Sequence, residues 1–233
     1  MKSKSFLSLP VLFTLGVSLV VLWGCKKEEL ATLTTMAVSE ITFNSAKSGG
    51  NITNDGGGEI TSRGVVWATN GSPSVEQHLG ITREGGGAGV FTSIITNLLP
   101  GTTYYVRAYA VNGAGTAYGN QVSFTTSASL PSVTTNNALE ITTNSAKVGG
   151  NVTDDGGGPV TARGIAYSTS QDPTTSGNLV SAGSGTGSFT AELSGLSPGT
   201  TYYARAFATN SAGTVYGNQV SFTTSASLPS VTT

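Results

Sequence analysis

Cysteine occurs once in this chain of 233 residues, histidine once, and methionine and tryptophan twice each. A single cysteine allows no intrachain disulfide, so any domain must hold together by its core alone, which about 90 residues can just manage. A single imidazole, His78, leaves little from which to build a zinc site or a Ser-His-Asp triad. Charge is equally scarce. Asp, Glu, Lys and Arg make up 10% of the chain, with a formal net charge of -1, against roughly a quarter charged in ordinary domains. No basic patch exists to release counterions, which excludes nucleic acid as a partner. Helix formers are few. Glycine, at 32 residues, stands beside frequent serine and threonine, a composition of strands and turns.

The one long apolar run lies at the start. Lys2 and Lys4 precede Phe6 to Leu22, and the run stops at Trp23-Gly24-Cys25. A basic start, an apolar stretch of about 15 residues and a small residue before a cut site make a secretory signal. Leu22-Trp23-Gly24-Cys25 resembles the bacterial lipobox. That resemblance implies a signal peptide over 1–24, acylation of Cys25, and cleavage before it. Two or three acyl chains, at about 0.8 kcal/mol per buried methylene, hold a protein on a bilayer almost permanently. The alternatives are a plain signal with an incidental cysteine, or an uncleaved anchor; the run is short for a span of roughly 20 residues. Lys26-Lys27-Glu28-Glu29 resembles the surface-export signal of lipoproteins in Bacteroidetes-type bacteria, which implies an outer-membrane lipoprotein exposed at the cell surface. A solvated start to the tether is the other reading.

The rest of the chain repeats itself. Ile41 to Thr53 returns as Ile141 to Thr153, offset by 100, and Leu98 to Tyr105 returns as Leu196 to Tyr203, offset by 98. Between Leu98–Thr135 and Leu196–Thr233, 32 of 38 positions are identical, so the period is a whole small domain and not a solenoid unit. The two-residue slip falls between Pro73 and Leu98, in a loop tolerant of length change. In each copy Tyr104, Val106, Ala108 and Ala110 alternate with Tyr105, Arg107, Tyr109 and Val111, the period of a strand. Gln121 to Thr125 is expected to pair with it after a turn at Asn112 to Gly115. Thr61 to Trp67 reads as another strand, entered through Asp55-Gly56-Gly57-Gly58. The fold class is all-β, two tandem sandwiches.

Leu98, Pro100, Thr102 and Tyr104 stand two apart, as do Leu196, Pro198, Thr200 and Tyr202. The run Leu-x-Pro-Gly-Thr-x-Tyr-x-x-Arg-Ala resembles the tyrosine corner of fibronectin type III domains, in which the hydroxyl bonds backbone a few residues upstream. Tyr104 and Tyr202 are the corner residues this implies. Both copies resemble fibronectin type III-like modules, at 33–126 and 132–224, and Tyr-Gly-Asn-Gln-Val-Ser-Phe-Thr-Thr, at 118–126 and 216–224, resembles the end of modules found in tandem on bacterial surface lipoproteins. Residues 25–32 are then a lipidated tether and 127–131 a linker. Where that family carries a core tryptophan on its second strand, these copies carry Gly49-Gly50 and Gly149-Gly150. Trp67 or Tyr167 is expected to fill part of the space. Ser127 to Thr135, linker plus first strand, recurs as Ser225 to Thr233, so 225–233 reads as the linker and start of a third module, or as a remnant of duplication.

Signals for chemistry are few. His78 sits in the variable loop, with no counterpart in copy two. Gly85 to Gly89 and Gly183 to Gly187 lack the helix a phosphate loop needs. Asp55 and Asp154-Asp155 fall short of the six to eight oxygens of a calcium site and read as turn residues. No catalytic site, metal or cofactor is expected, and the chain should be a monomer. One surface stands out: with Tyr104 inward, Tyr105, Arg107 and Tyr109 should point outward, as should Tyr203, Arg205 and Phe207. Rings beside an arginine fork can stack on sugars or peptide, or simply shield the sheet by cross-strand pairing. Two functional readings follow. The modules bind a polysaccharide or extracellular protein for adhesion, or they are spacers, each roughly 35 to 40 Å long, that lift an effector domain. The tether, Cys25 to about Leu33, would add at most ~30 Å at 3.3–3.6 Å per residue.

Overall fold

The computed structural model describes residues 27–229. Cys25, the segment 1–24 before it and Ser230 to Thr233 lie outside the described residues. Among the described residues sixteen strands form four antiparallel sheets, and no residue is helical. They make two tandem β-sandwiches.

In the first module a three-stranded sheet, order β1-β2-β5, contains β1 (Thr32–Thr35), β2 (Ala46–Asn54) and β5 (Gly89–Ile95). The facing sheet runs β4-β3-β6-β7: β4 (Gly80–Ile81), β3 (Ser62–Ala68), β6 (Thr103–Asn112) and β7 (Gly115–Tyr118), with β8 (Val122–Thr125) also paired to β6. The second module repeats this as β9 (Ser132–Thr135), β10 (Ser145–Asp154) and β13 (Gly187–Ser194) against β11 (Ala162–Ser168), β12 (Asn178–Ser181), β14 (Thr201–Asn210), β15 (Gly213–Tyr216) and β16 (Val220–Thr223). The partner expected for β6 is thus two strands. Tyr109 pairs with Tyr118 but Val106 with Val122. That register leaves one extra residue at Gly119–Gln121, a β-bulge that bends the strand and frees a ladder amide.

The cores follow the period-2 pattern. Tyr104, Val106, Ala108 and Ala110 are buried in the cluster that also holds Leu33, Ile52, Val65 and Ile95. The ring directly above Gly50 is that of Phe91, where Trp67 is expected from sequence to fill part of the space. A Cβ on Gly50 would lie 2.7 Å from the Phe91 ring and from Ala108 Cβ, and Gly150 meets Phe189 and Ala206 in the same way. The rings over these glycines come from the neighbouring strands β5 and β13. Gly50 pairs with Phe91 in register and leaves room for its ring to fold over. Trp67 is half-buried at the core's margin against Gly80.

At the β5–β6 corner Leu99 N donates to the Tyr104 hydroxyl at 2.9 Å, and Ser197 N to Tyr202 at 3.0 Å. Each ring is buried and stacks on a phenylalanine, Phe124 or Phe222, at 5.8 Å between centroids.

Candidate functional site

The aromatic rows are not open platforms. Tyr109 is only 1% exposed and Phe207 only 4%, so neither ring is available to a ligand, contrary to expectation. Both point away from the core, yet both are covered on their own face. Tyr109 stands opposite Gly64 and donates its hydroxyl to Thr82 O at 2.8 Å. Phe207 lies over Gly164. A side chain opposite a strand glycine falls into the space the glycine leaves, which strand alternation alone does not register.

The arginines are taken as well. The Arg107 guanidinium lies 4.6 Å from the Tyr118 ring centroid, and its Nε donates to Gly119 O at 3.2 Å. Arg205 lies 4.9 Å from Tyr216, donates to Gly217 O at 3.2 Å, and approaches Asp172 at 3.7 Å. Of the six residues only Tyr105 and Tyr203 remain as half-exposed rings without such cover.

The loop that changes length is fastened to the residues that cover the arginines. Pro73 and Pro173 are buried. Ser72 N donates to Gln121 Oε1 at 2.5 Å and Val75 N to the Tyr118 hydroxyl at 2.8 Å; Asp172 N and Thr175 N make the same bonds to Gln219 and Tyr216. Pro73 and Pro173 are still 100 apart, whereas Gly80 and Asn178, paired with Trp67 and Tyr167, are 98 apart. The two extra residues of module 1 therefore lie within 74–79, at the loop's tip. His78 is there, exposed, with Nδ1 3.1 Å from Ser74 O. Glu76 beside it sits below the usual carboxylate range, chiefly through a hydrogen bond with the Ser74 hydroxyl.

The Tyr-Gly-Asn-Gln run thereby acquires a role at every position. Tyr118 and Gln121 fasten the loop. Gly119 abuts Thr35, Asn120 Oδ1 accepts Thr35 N at 3.0 Å, and the Thr35 hydroxyl accepts Ala108 N at 2.9 Å, the amide beside the bulge. Thr135, Asn218 and Ala206 repeat the arrangement. The run ties β1 of one sheet to β6 of the other. Its identity in both copies was the sequence signal for this knot.

A second arrangement, absent from the sequence reading, joins the modules. Ser129 N donates to Gly156 O at 2.8 Å, Asn210 Nδ2 donates to Ser129 O at 2.7 Å, and Pro131 is buried. The backbones of Pro100–Gly101 and Gly157 are in direct contact, so close that a Cβ on Gly101 would overlap Gly157 O. Ahead of module 1 the same slot is filled by residues assigned to the tether: Glu29 N donates to Gly56 O at 2.9 Å and Asn112 Nδ2 to Glu29 O at 2.6 Å. The chain is fixed from Glu29 onward.

The acidic turns bond their own backbone. Asn54, Asp55, Asp154 and Asp155 accept the amides of Gly56, Gly57, Gly156 and Gly157 at 2.6–2.9 Å, which is turn chemistry. Among the described residues no three His, Cys, Asp or Glu side chains gather as a metal would need. One open concavity of about 520 Å³ on module 2 is lined by Asn136, Glu140, Lys147 and Glu192, the Lys147 ammonium held above its ordinary range by its hydrogen bond to Glu140. One of about 480 Å³ on module 1 is lined by Trp67, Leu79, Leu99 and Tyr104. Their lining differs in the other copy, where Met36 and Ile94, or Gly177 and Ser197, take the equivalent places. Comparison with known protein families and with curated proteins gives no match.

Proposed function

We propose that the chain is a lipid-anchored spacer at the bacterial surface, a stiff two-module rod held by Cys25. The joint carries this reading: backbone packed on backbone at Gly101 and Gly157, flanked by a linker whose amide and carbonyl are both hydrogen-bonded to module 2. Such a joint resists bending far better than a free linker of five residues. The aromatic rows favour the same reading, because their arginines and two of their rings are engaged within the chain. Adhesion would depend on Tyr105 and Tyr203 alone.

The base is short as well. Glu29 stands four positions after Cys25, so an acyl anchor on Cys25 leaves at most ~14 Å of free chain at 3.3–3.6 Å per residue, about half the tether expected from sequence. Module 1 then stands directly on the headgroups. The anchor is tested by Cys25→Ala in the source bacterium. The variant should be released or left unprocessed and incorporate no labelled fatty acid; a cleaved, membrane-bound variant contradicts the anchor. Protease applied to intact cells should remove both modules if they face outward.

A further inference from the structure

The surface on which module 2 sits recurs, uncovered, at the far end of module 2. Pro198 and Gly199 stand where Pro100 and Gly101 stand, and Gly199 has φ of 62° against 57° for Gly101. Gly199 N donates to Ser225 O at 3.1 Å and Ser225 N to Thr142 O at 2.9 Å; Gly101 and Ser127 make the same bonds at 3.1 and 3.0 Å. The backbone is therefore set in the same position at both ends. Only the cover differs. A Cβ on Gly199 would meet nothing within 4 Å. Ala128 and Ser129 are half-buried and Pro131 is buried, whereas Ala226, Ser227 and Pro229 are exposed. Leu130 is 51% exposed and Leu228 is 92%.

We propose that this end of module 2 is a preformed docking surface for the glycine turn of one further module of the same repeat. The chemistry of the occupant is read from the existing joint. It offers a carbonyl to the Ser227 amide, as Gly156 does to Ser129. It offers a side-chain amide to Ser227 O, as Asn210 does to Ser129 O. It presents a residue without Cβ to Pro198–Gly199, as Gly157 does to Pro100–Gly101. Module 1 of a second copy carries all three groups, but Gly56 O and the Asn112 amide are already engaged by its own Glu29. That slot is filled, so the surface fits a module joined through Leu228 and Pro229 and not module 1 of a second copy. This inference rests on the rod reading of the joint and is independent of the lipid anchor.

The test is a three-module chain in which residues 136–224 are appended after Thr233. Ser225 to Thr233 then leads into the third module as Ser127 to Thr135 leads into the second. Hydrogen exchange at Ser227 should slow by about tenfold or more relative to the two-module chain, to the rate of Ser129, since a docked amide opens only with its joint. Gly199→Asn, which tolerates positive φ but adds bulk, should return Ser227 to its two-module rate while the Phe222 amide stays protected. A folded third module with Ser227 still exchanging freely overturns the proposal. Slow exchange at Ser227 in the two-module chain that grows with protein concentration also overturns it, in favour of docking between copies.

Discussion

The Thr35 hydroxyl accepts the amide of Ala108 at 2.9 Å, across the gap between the two sheets of module 1. Ala108 is fully buried, and the bulge at Gly119–Gln121 removes the strand neighbour that would otherwise take its hydrogen. Thr35→Val keeps the shape and leaves the donor unpaired, at a cost of about 1–3 kcal/mol. Thr35→Ser keeps the acceptor and should cost less than half as much. Denaturant unfolding of both variants checks this; a Thr35→Val loss no larger than that of Thr35→Ser would mean that the hydroxyl contributes no more than the methyl.

Tyr104 divides its contribution between ring and hydroxyl. Tyr104→Phe gives up the bond from Leu99 and should cost about 0.5–1.5 kcal/mol. Tyr104→Ala also empties the place beside Phe124 and should cost about 3–5 kcal/mol. Equal and small losses would show that the corner does not carry the fold.

Gly50 and Phe91 share one space. Gly50→Ala drives a methyl into the ring and should cost about 1–3 kcal/mol by overpacking. Gly50→Ala combined with Phe91→Leu should be less destabilised than the sum of the two, with a coupling of about 0.5–3 kcal/mol in a double-mutant cycle. Additive losses would place the ring elsewhere.

The sandwich class, the two copies and the inward row from Tyr104 to Ala110 are all legible in the sequence, because burial on one face imposes a period of two. What alternation cannot carry is the cover on the other face. Tyr109 and Phe207 have outward parity, and only the register that sets them against Gly64 and Gly164 tells that they are covered. The loop fastened to the rings beside Arg107 and Arg205 depends on Pro73, Tyr118 and Gln121, which lie far apart in the chain. Gly101 and Gly157 look like ordinary turn glycines until two modules are placed end to end. The resemblance to a lipobox at Cys25 concerns residues outside the described fold.

Tyr105 and Tyr203 are the rings the rows still offer. On an array of glycans and matrix proteins, the folded two-module protein and its Tyr105→Ala, Tyr203→Ala variant should give the same background signal. Retention of a polymeric ligand that the double variant loses would restore the adhesive reading.

The rod itself is tested most directly by residual dipolar couplings measured across residues 27–229. Backbone contact at Gly101–Gly157 predicts that both modules report one common alignment tensor, with equal magnitude and orientation. Gly157→Asn, which preserves the left-handed turn and obstructs Pro100, should split it into two. Two tensors of different magnitude in the unaltered chain would mean that the modules move independently, and would contradict the account.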